Sequence, residues 1–206
     1  MTLSTRKAGG IALRLLIWLP VLLWAAWQWS WDYADLFRPL YTTVLSYGLD
    51  GLRFGDIQIV RTHEYLLRVP YVVEAMRVIG GHVIPRNLDG YVLVPVYSLL
   101  THPIVLAAAA LAWPGLRWRE RLVRLLISLP VLVVLEALDM PLVSYSFVNK
   151  ALAMNFDPAY LVTKPLYWMN VLEGGGRFAL SIVAAVVAAE LHRGLNKVVL
   201  RARPTA

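Results

Sequence analysis

Residues 122–143 read LVRLLISLPVLVVLEALDMPLV. A helix needs roughly 20 predominantly apolar residues to cross a bilayer, so this run is long enough to span. Two carboxylates interrupt it, Glu136 and Asp139. Three residues apart on a helix, they share a face. Charge inside a spanning segment is costly and needs a partner or water. The stretch therefore implies an integral membrane protein with one polar spot inside its apolar part.

The rest of the composition agrees. Of 206 residues, 59% are hydrophobic, and the mean hydropathy is +0.59. An ordinary soluble domain is only about half apolar. The 8 Trp and 10 Tyr cluster near the ends of apolar runs, as in an interfacial belt. There is no cysteine, which excludes disulfides, thiolate metal sites, c-type haem attachment and cysteine nucleophiles.

Four stretches reach spanning length: residues 11–31, 91–113, 122–143 and 175–191. Pro20, Pro95, Pro103 and Pro130 fall inside or near three of them and predict kinks. The first stretch carries Arg6 and Lys7 ahead of it, as a signal peptide does, but it is too long and Trp-rich for one. A retained anchor is expected.

Basic residues set the orientation. Arg6, Lys7, Arg14, Arg117, Arg119, Arg121, Arg124, Arg193, Lys197, Arg201 and Arg203 occupy three flanks that fall on one side of a four-span chain. Both termini are therefore expected in the cytoplasm of a bacterium, with the chain in its inner membrane. Loops 32–90 and 144–174 are expected outside. These flanks explain the formal net charge of +7 without a nucleic-acid partner.

The first outer loop is long enough to fold. Residues 41–49 suit an amphipathic helix at the membrane surface. Residues 56–61 and 65–69, joined by Thr62, His63 and Glu64, suit a β-hairpin. In the second outer loop, residues 149–158 and 164–168 suit a short helix and turn. The expected fold is a single, all-α membrane domain of four transmembrane helices. Its first extracytoplasmic loop holds a β-hairpin and an amphipathic helix.

Four constellations could carry chemistry. Glu136 and Asp139 fall at about the same depth as Arg177 of the fourth span. Together they suit an acid/base pair with an anion clamp, or a proton relay. The alternative is an interhelical ion pair that fixes packing. His102, near the middle of the second span, suits a haem or metal ligand, or a neutral imidazole bonded to a neighbouring helix. His63, Glu64, Glu74 and His82 have the chemistry of a zinc site, but their spacing matches no ligand pattern, and solvated loop residues are expected. Residues 173–178, EGGGRF, bring three glycines to a helix start, for close packing or for an anion. No cofactor is expected.

Residues 91–97 (YVLVPVY), the Arg-rich turn from Arg117 to Arg124 and residues 174–180 (GGGRFAL) resemble small membrane proteins associated with exosortase and archaeosortase sorting systems. Exosortases proper use a Cys, so their transpeptidase-like activity does not carry over to a chain without one. The resemblance implies an accessory role in handling envelope proteins. The function expected is that of a non-catalytic subunit of an inner-membrane complex. It would meet membrane lipids and other membrane or periplasmic proteins through its spans and outer loops. An outer-leaflet lipid or lipoprotein enzyme using Glu136, Asp139 and Arg177, and a proton or ion pathway component, are the alternatives.

Overall fold

A computed structural model describes residues 5–79, 81–156 and 164–201. Three helical stretches are long and apolar enough to cross a membrane: Gly9–Gln28, Trp118–Phe156 and Tyr167–Leu195. The chain divides into two units, and the division falls inside its longest helix.

The first unit is helical. It contains α1 (Thr5–Gln28), α3 (Thr101–Ala112), the first half of α4 (Trp118–Phe156) and α6 (Arg177–Arg201). Its large apolar side chains point outward. Leu13, Leu16, Ile17, Leu23 and Trp24 of α1 are exposed, as are Leu126 and Val134 of α4 and Val183 and Val186 of α6. Its interior is rich in small residues, Ala108, Ala110 and Ala112 of α3 with Ser181, Ala184, Ala188 and Ala189 of α6, beside a few larger ones such as Leu106, Leu111 and Leu132. In hydrocarbon, large apolar side chains gain nothing by facing inward, while small ones let helix backbones approach closely. The α3–α6 seam follows that rule.

Helix α3 has only 12 residues, about 18 Å of helix. That is shorter than the ~30 Å hydrocarbon core. The start of the expected second span over residues 91–113 is corrected: the apolar helical stretch there is Val96–Ala112, shorter than the other three. Its first residues are a β-strand, and a 3₁₀ turn at Val96–Ser98 separates that strand from α3. An apolar run bounded by proline reads equally well as buried strand or as membrane helix. Here the alternation decides, because Val92 and Val94 are buried while Tyr91 and Leu93 are exposed.

The second unit is built on a sheet. It contains α2 (Ser30–Ser46), six strands, the second half of α4 and α5 (Lys164–Val171). The strands are β1 (Leu52–Phe54), β2 (Gln58–Arg61), β3 (Tyr65–Val73), β4 (Arg77–Ile79), β5 (His82–Ile84) and β6 (Asp89–Pro95). Strand β3 is central. It pairs antiparallel with β1 and β2 along one side, and with β6 along the other. The expected hairpin is present as β2 and β3, with Arg61 opposite Tyr65. The rest of the sheet is not all-α architecture, and it extends the β-structure well beyond a hairpin.

Proline in a central strand removes a ladder donor. Pro70 is tolerated because its hydrogen-bonding edge faces the break between β1 and β2, where its carbonyl accepts from the Gly55 amide at 3.0 Å. Helix α2 buries Ala34, Phe37, Tyr41 and Leu45 on one stripe and packs on β1, β2 and β3. It begins eleven residues earlier than the amphipathic helix expected over 41–49, and stops before Gly48, which has φ 68°. Trp31 meets the Tyr65 ring edge-on at 5.4 Å and fixes the start of α2 against β3.

Helix α4 has 39 residues, about 58 Å of helix. It overruns the expected span at both ends, and residues 149–156 continue it rather than forming a separate loop helix. The remaining loop residues 157–163 lie outside the described residues. One stripe of α4 is buried along its length, with Arg124, Ser128, Leu132, Glu136, Met140, Ser144, Val148 and Leu152 four residues apart. Before Glu136 little else on the helix is buried. After it Asp139, Val143, Ser146, Asn149 and Ala153 are buried too. The helix thus changes from a lipid-type surface to a globular one near residue 136. The fourth expected span, residues 175–191, is also longer in the structure: α6 runs to Arg201, and Gly175 (φ 115°) marks the bend before it.

The small-residue seam makes a direct prediction. Ala188→Leu adds bulk at a buried alanine of α6 beside Ala109 and Ala110 of α3, and overpacking of this kind costs about 1–3 kcal/mol. Thermal unfolding in detergent should show a clear loss of stability, whereas Val186→Leu on the exposed face should show none.

Candidate functional site

Glu136 is fully buried, and so is Tyr41. One carboxylate oxygen accepts from the Tyr33 hydroxyl at 2.6 Å, and the other accepts from the Tyr41 hydroxyl at 2.6 Å. Such distances are those of charge-assisted O–H···O⁻ bonds. Both donors come from α2. Tyr33, Phe37 and Tyr41 are four residues apart and so lie on one helix face. Their rings form a ladder, with Tyr33 to Phe37 at 4.7 Å and Phe37 to Tyr41 at 5.9 Å. The ladder holds the two hydroxyls far enough apart to take one oxygen each.

The phenols are held in the donor state. Burial raises the Tyr33 and Tyr41 pKa values far above the ordinary 10.0, and the Glu136 charge raises them further. Asp139 is buried on the same face of α4, and its charge adds to the upward shift of Tyr41. The two acids and two phenols therefore form one electrostatic cluster within the second unit.

The sequence pairs these acids with Arg177. Arg177 is buried, and it heads α6 in the first unit, where its carbonyl accepts from the Ser181 hydroxyl at 2.7 Å. Two neutral hydroxyls bond Glu136, a contribution that the expectation of a basic partner does not include. The signal was available: Tyr33, Phe37 and Tyr41 recur at helical spacing in a segment read as loop.

His102 is buried in α3, and its Nδ1 lies 2.7 Å from the Ser181 hydroxyl of α6. Because that hydroxyl donates to the Arg177 carbonyl, the imidazole donates through Nδ1–H. His102 thus ties the two helices of the seam together. The expected zinc candidates are not gathered. His63 and Glu64 lie on the β2–β3 turn, His82 lies on β5, and Glu74 pairs with Arg53 at 3.2 Å. Among the described residues no group of three His, Asp or Glu side chains could hold a metal. The three glycines of residues 173–178 lie in the bend before α6. A Cβ on Gly176 would come 2.7 Å from the Val171 carbonyl oxygen, so that glycine serves close backbone packing.

A second cluster escaped the sequence reading. Asp50, in the turn after α2 with φ 48°, pairs with Arg77 of β4. The Tyr145 hydroxyl of α4 donates to the same Asp50 oxygen at 2.5 Å and accepts from Arg77 at 3.1 Å. These contacts join α4 to the β4–β5 hairpin within the second unit. Nothing in sequence spacing relates positions 50, 77 and 145.

No family model matches this chain, and neither a curated protein nor a solved structure matches it.

The raised phenol pKa values predict an alkaline weakness. A group whose folded pKa lies above its unfolded value contributes fully below the unfolded pKa, and the contribution declines as pH rises past it. Stability should therefore hold up to about pH 10 and then fall, each such phenol adding a slope of about 1.4 kcal/mol per pH unit. Thermal unfolding between pH 8 and 11 should show a shallower fall in a Tyr33→Phe/Tyr41→Phe variant than in the parent. Equal slopes would mean that the two phenols are not held protonated by the fold.

Proposed function

We propose that this chain is a non-catalytic accessory subunit of a bacterial inner-membrane complex. It engages partner proteins through its sheet-bearing unit, in envelope protein sorting or assembly. With the short apolar helix Val96–Ala112 as a fourth crossing, its termini face the cytoplasm and the second unit faces the periplasm, in keeping with the basic flanks around Arg14, Arg117 to Arg124 and Arg193.

The observation that carries this reading is the β4–β5 hairpin. Val78 and Val83 are directly opposite each other on its outer face, and Met76 precedes them. Their exposures are 66%, 56% and 70%. An exposed two-stranded hairpin is marginal in water, and contiguous apolar surface on such an element marks an interaction site. Tyr47 and Tyr97 of the same unit are exposed too. Aromatic residues and Met are enriched where proteins meet.

The character of the acidic cluster supports a structural role as well. Each oxygen of Glu136 is already engaged by a phenol, so the carboxylate works as a tie between α2 and α4. A catalytic acid or base needs reach to a substrate proton. The resemblance of residues 91–97 and 174–180 to small exosortase-associated proteins points to the same accessory class.

A photo-crosslinking amino acid at position 78 or 83, in native cells, tests the proposal. The expected result is a discrete adduct with another envelope protein, lost when Met76 and the opposite valine are replaced by Lys. Adducts with lipid alone, or none at all with a strictly monomeric native species, would refute it.

A further inference from the structure

The first unit contains a cationic cluster that the proposed function does not use. Arg124 is only 4% exposed. Its guanidinium lies over the Trp113 ring, 4.7 Å from the centroid. Stacking uses the face of a guanidinium and leaves its in-plane N–H edge free to donate to an oxyanion. Among the described residues, the Arg124 Nε and Nη1 are buried and meet no hydrogen-bond acceptor. A buried charged donor left in that state is strongly destabilising.

Two more guanidiniums gather at the same turn between α3 and α4. Arg14 donates to the Trp113 carbonyl at 3.2 Å, and Arg121 donates to the Leu111 carbonyl at 2.7 Å. The acids of this region, Glu120 and Glu190, act on Arg124 through space and make their contacts with other groups. Glu190 pairs with Arg193 at 2.5 Å, and Glu120 accepts from the Arg117 amide at 2.9 Å. Among the described residues, no carboxylate pairs with Arg14, Arg121 or Arg124. Positive charge here exceeds what the protein neutralises.

Beside this cluster runs an apolar groove of about 420 Å³. Its walls include Pro103 and Ala107 of α3, with Leu122, Leu126 and Leu129 of α4. Leu106 and Ser128 line both the groove and a smaller space, of about 10 Å³, against Arg124 and Trp113. A space of that size admits one oxygen-sized group. An apolar groove thus lies next to a buried guanidinium with room for a single oxygen beside it.

We propose that this is a binding site for an anionic phospholipid. One acyl chain lies in the groove between α3 and α4, and a phosphate oxygen accepts from Arg124. Arg14 and Arg121 supply the surrounding positive field. Basic pockets between helices on the cytoplasmic side of a membrane suit such headgroups, and the anionic leaflet there supplies them.

The test uses the full chain purified in a neutral detergent and incubated with phosphatidylglycerol or phosphatidylcholine. Native mass spectrometry reads lipid retention, and thermal unfolding reads stabilisation. Phosphatidylglycerol should be retained and should raise the Tm, and phosphatidylcholine should do neither. Arg124→Gln should weaken phosphatidylglycerol retention by about tenfold or more, the loss of one charge-assisted bond. Arg119→Gln, exposed on the same helix, should leave it unchanged. Leu129→Trp fills the groove without altering charge and should also abolish retention, which keeps the test decisive if Arg124→Gln does not fold. Equal retention of the two lipids, undiminished retention in Leu129→Trp, stabilisation by inorganic phosphate alone to the same extent, or a co-purifying protein helix seated in the groove would each overturn the proposal.

Discussion

A carboxylate taken wholly out of solvent must be given hydrogen bonds, and Glu136 receives two from one helix face. This requirement organises the second unit. It fixes the rotation of α4, because the stripe from Arg124 to Leu152 must place residue 136 toward α2. It also fixes α2, because Tyr33 and Tyr41 must both reach the same side chain. Once α2 is set, its opposing contacts with β1, β2 and β3 are set as well. Loss of either phenol would remove one charge-assisted hydrogen bond from a buried carboxylate, and such bonds are worth more than neutral ones.

The burial of this helix changes along its length. Ahead of residue 136 its large apolar groups face outward, as lipid permits. Beyond that residue more of the helix is buried, including Asp139, Val143, Ser146, Asn149 and Ala153, while Leu138, Leu142 and Met154 stay exposed. Glu136 and Asp139 stand at the change between the two regimes. A polar cluster is less costly there than at the centre of a bilayer. Within the second unit, Glu136 ties α2 to α4 through the two phenols.

Much of this was legible in the sequence. Length and hydropathy revealed the membrane character, and alternation at residues 56–69 revealed the β2–β3 hairpin. The acidic pair stood out because charge in an apolar run is rare. What failed did so for identifiable reasons. Residues 91–95 are apolar whether they cross lipid or lie in a sheet, and only knowledge of β3 as a neighbour separates the two. Helix α2 was cut short at its start because Asp32, Asp35 and Arg38 make it look like a solvated loop, while its buried stripe of Ala34, Phe37, Tyr41 and Leu45 carries the helical signal. The Asp50–Arg77–Tyr145 cluster was beyond reach, since it depends on three segments brought together only by the fold. The two phenols on Glu136 are not legible from its own span, because an acid in an apolar helix suggests a cation, and Tyr33 and Tyr41 lie about a hundred residues away in sequence.

The account therefore rests on one coupling, between the Glu136 carboxylate and the α2 phenols. A double-mutant cycle of Glu136→Gln and Tyr41→Phe, read by equilibrium unfolding of the purified chain, measures it directly. Each single change should destabilise by about 1–3 kcal/mol. The double variant should be more stable than the sum of the two losses predicts, by at least about 1 kcal/mol. Strict additivity of the two changes would contradict the claim that this buried bond holds α2 to α4.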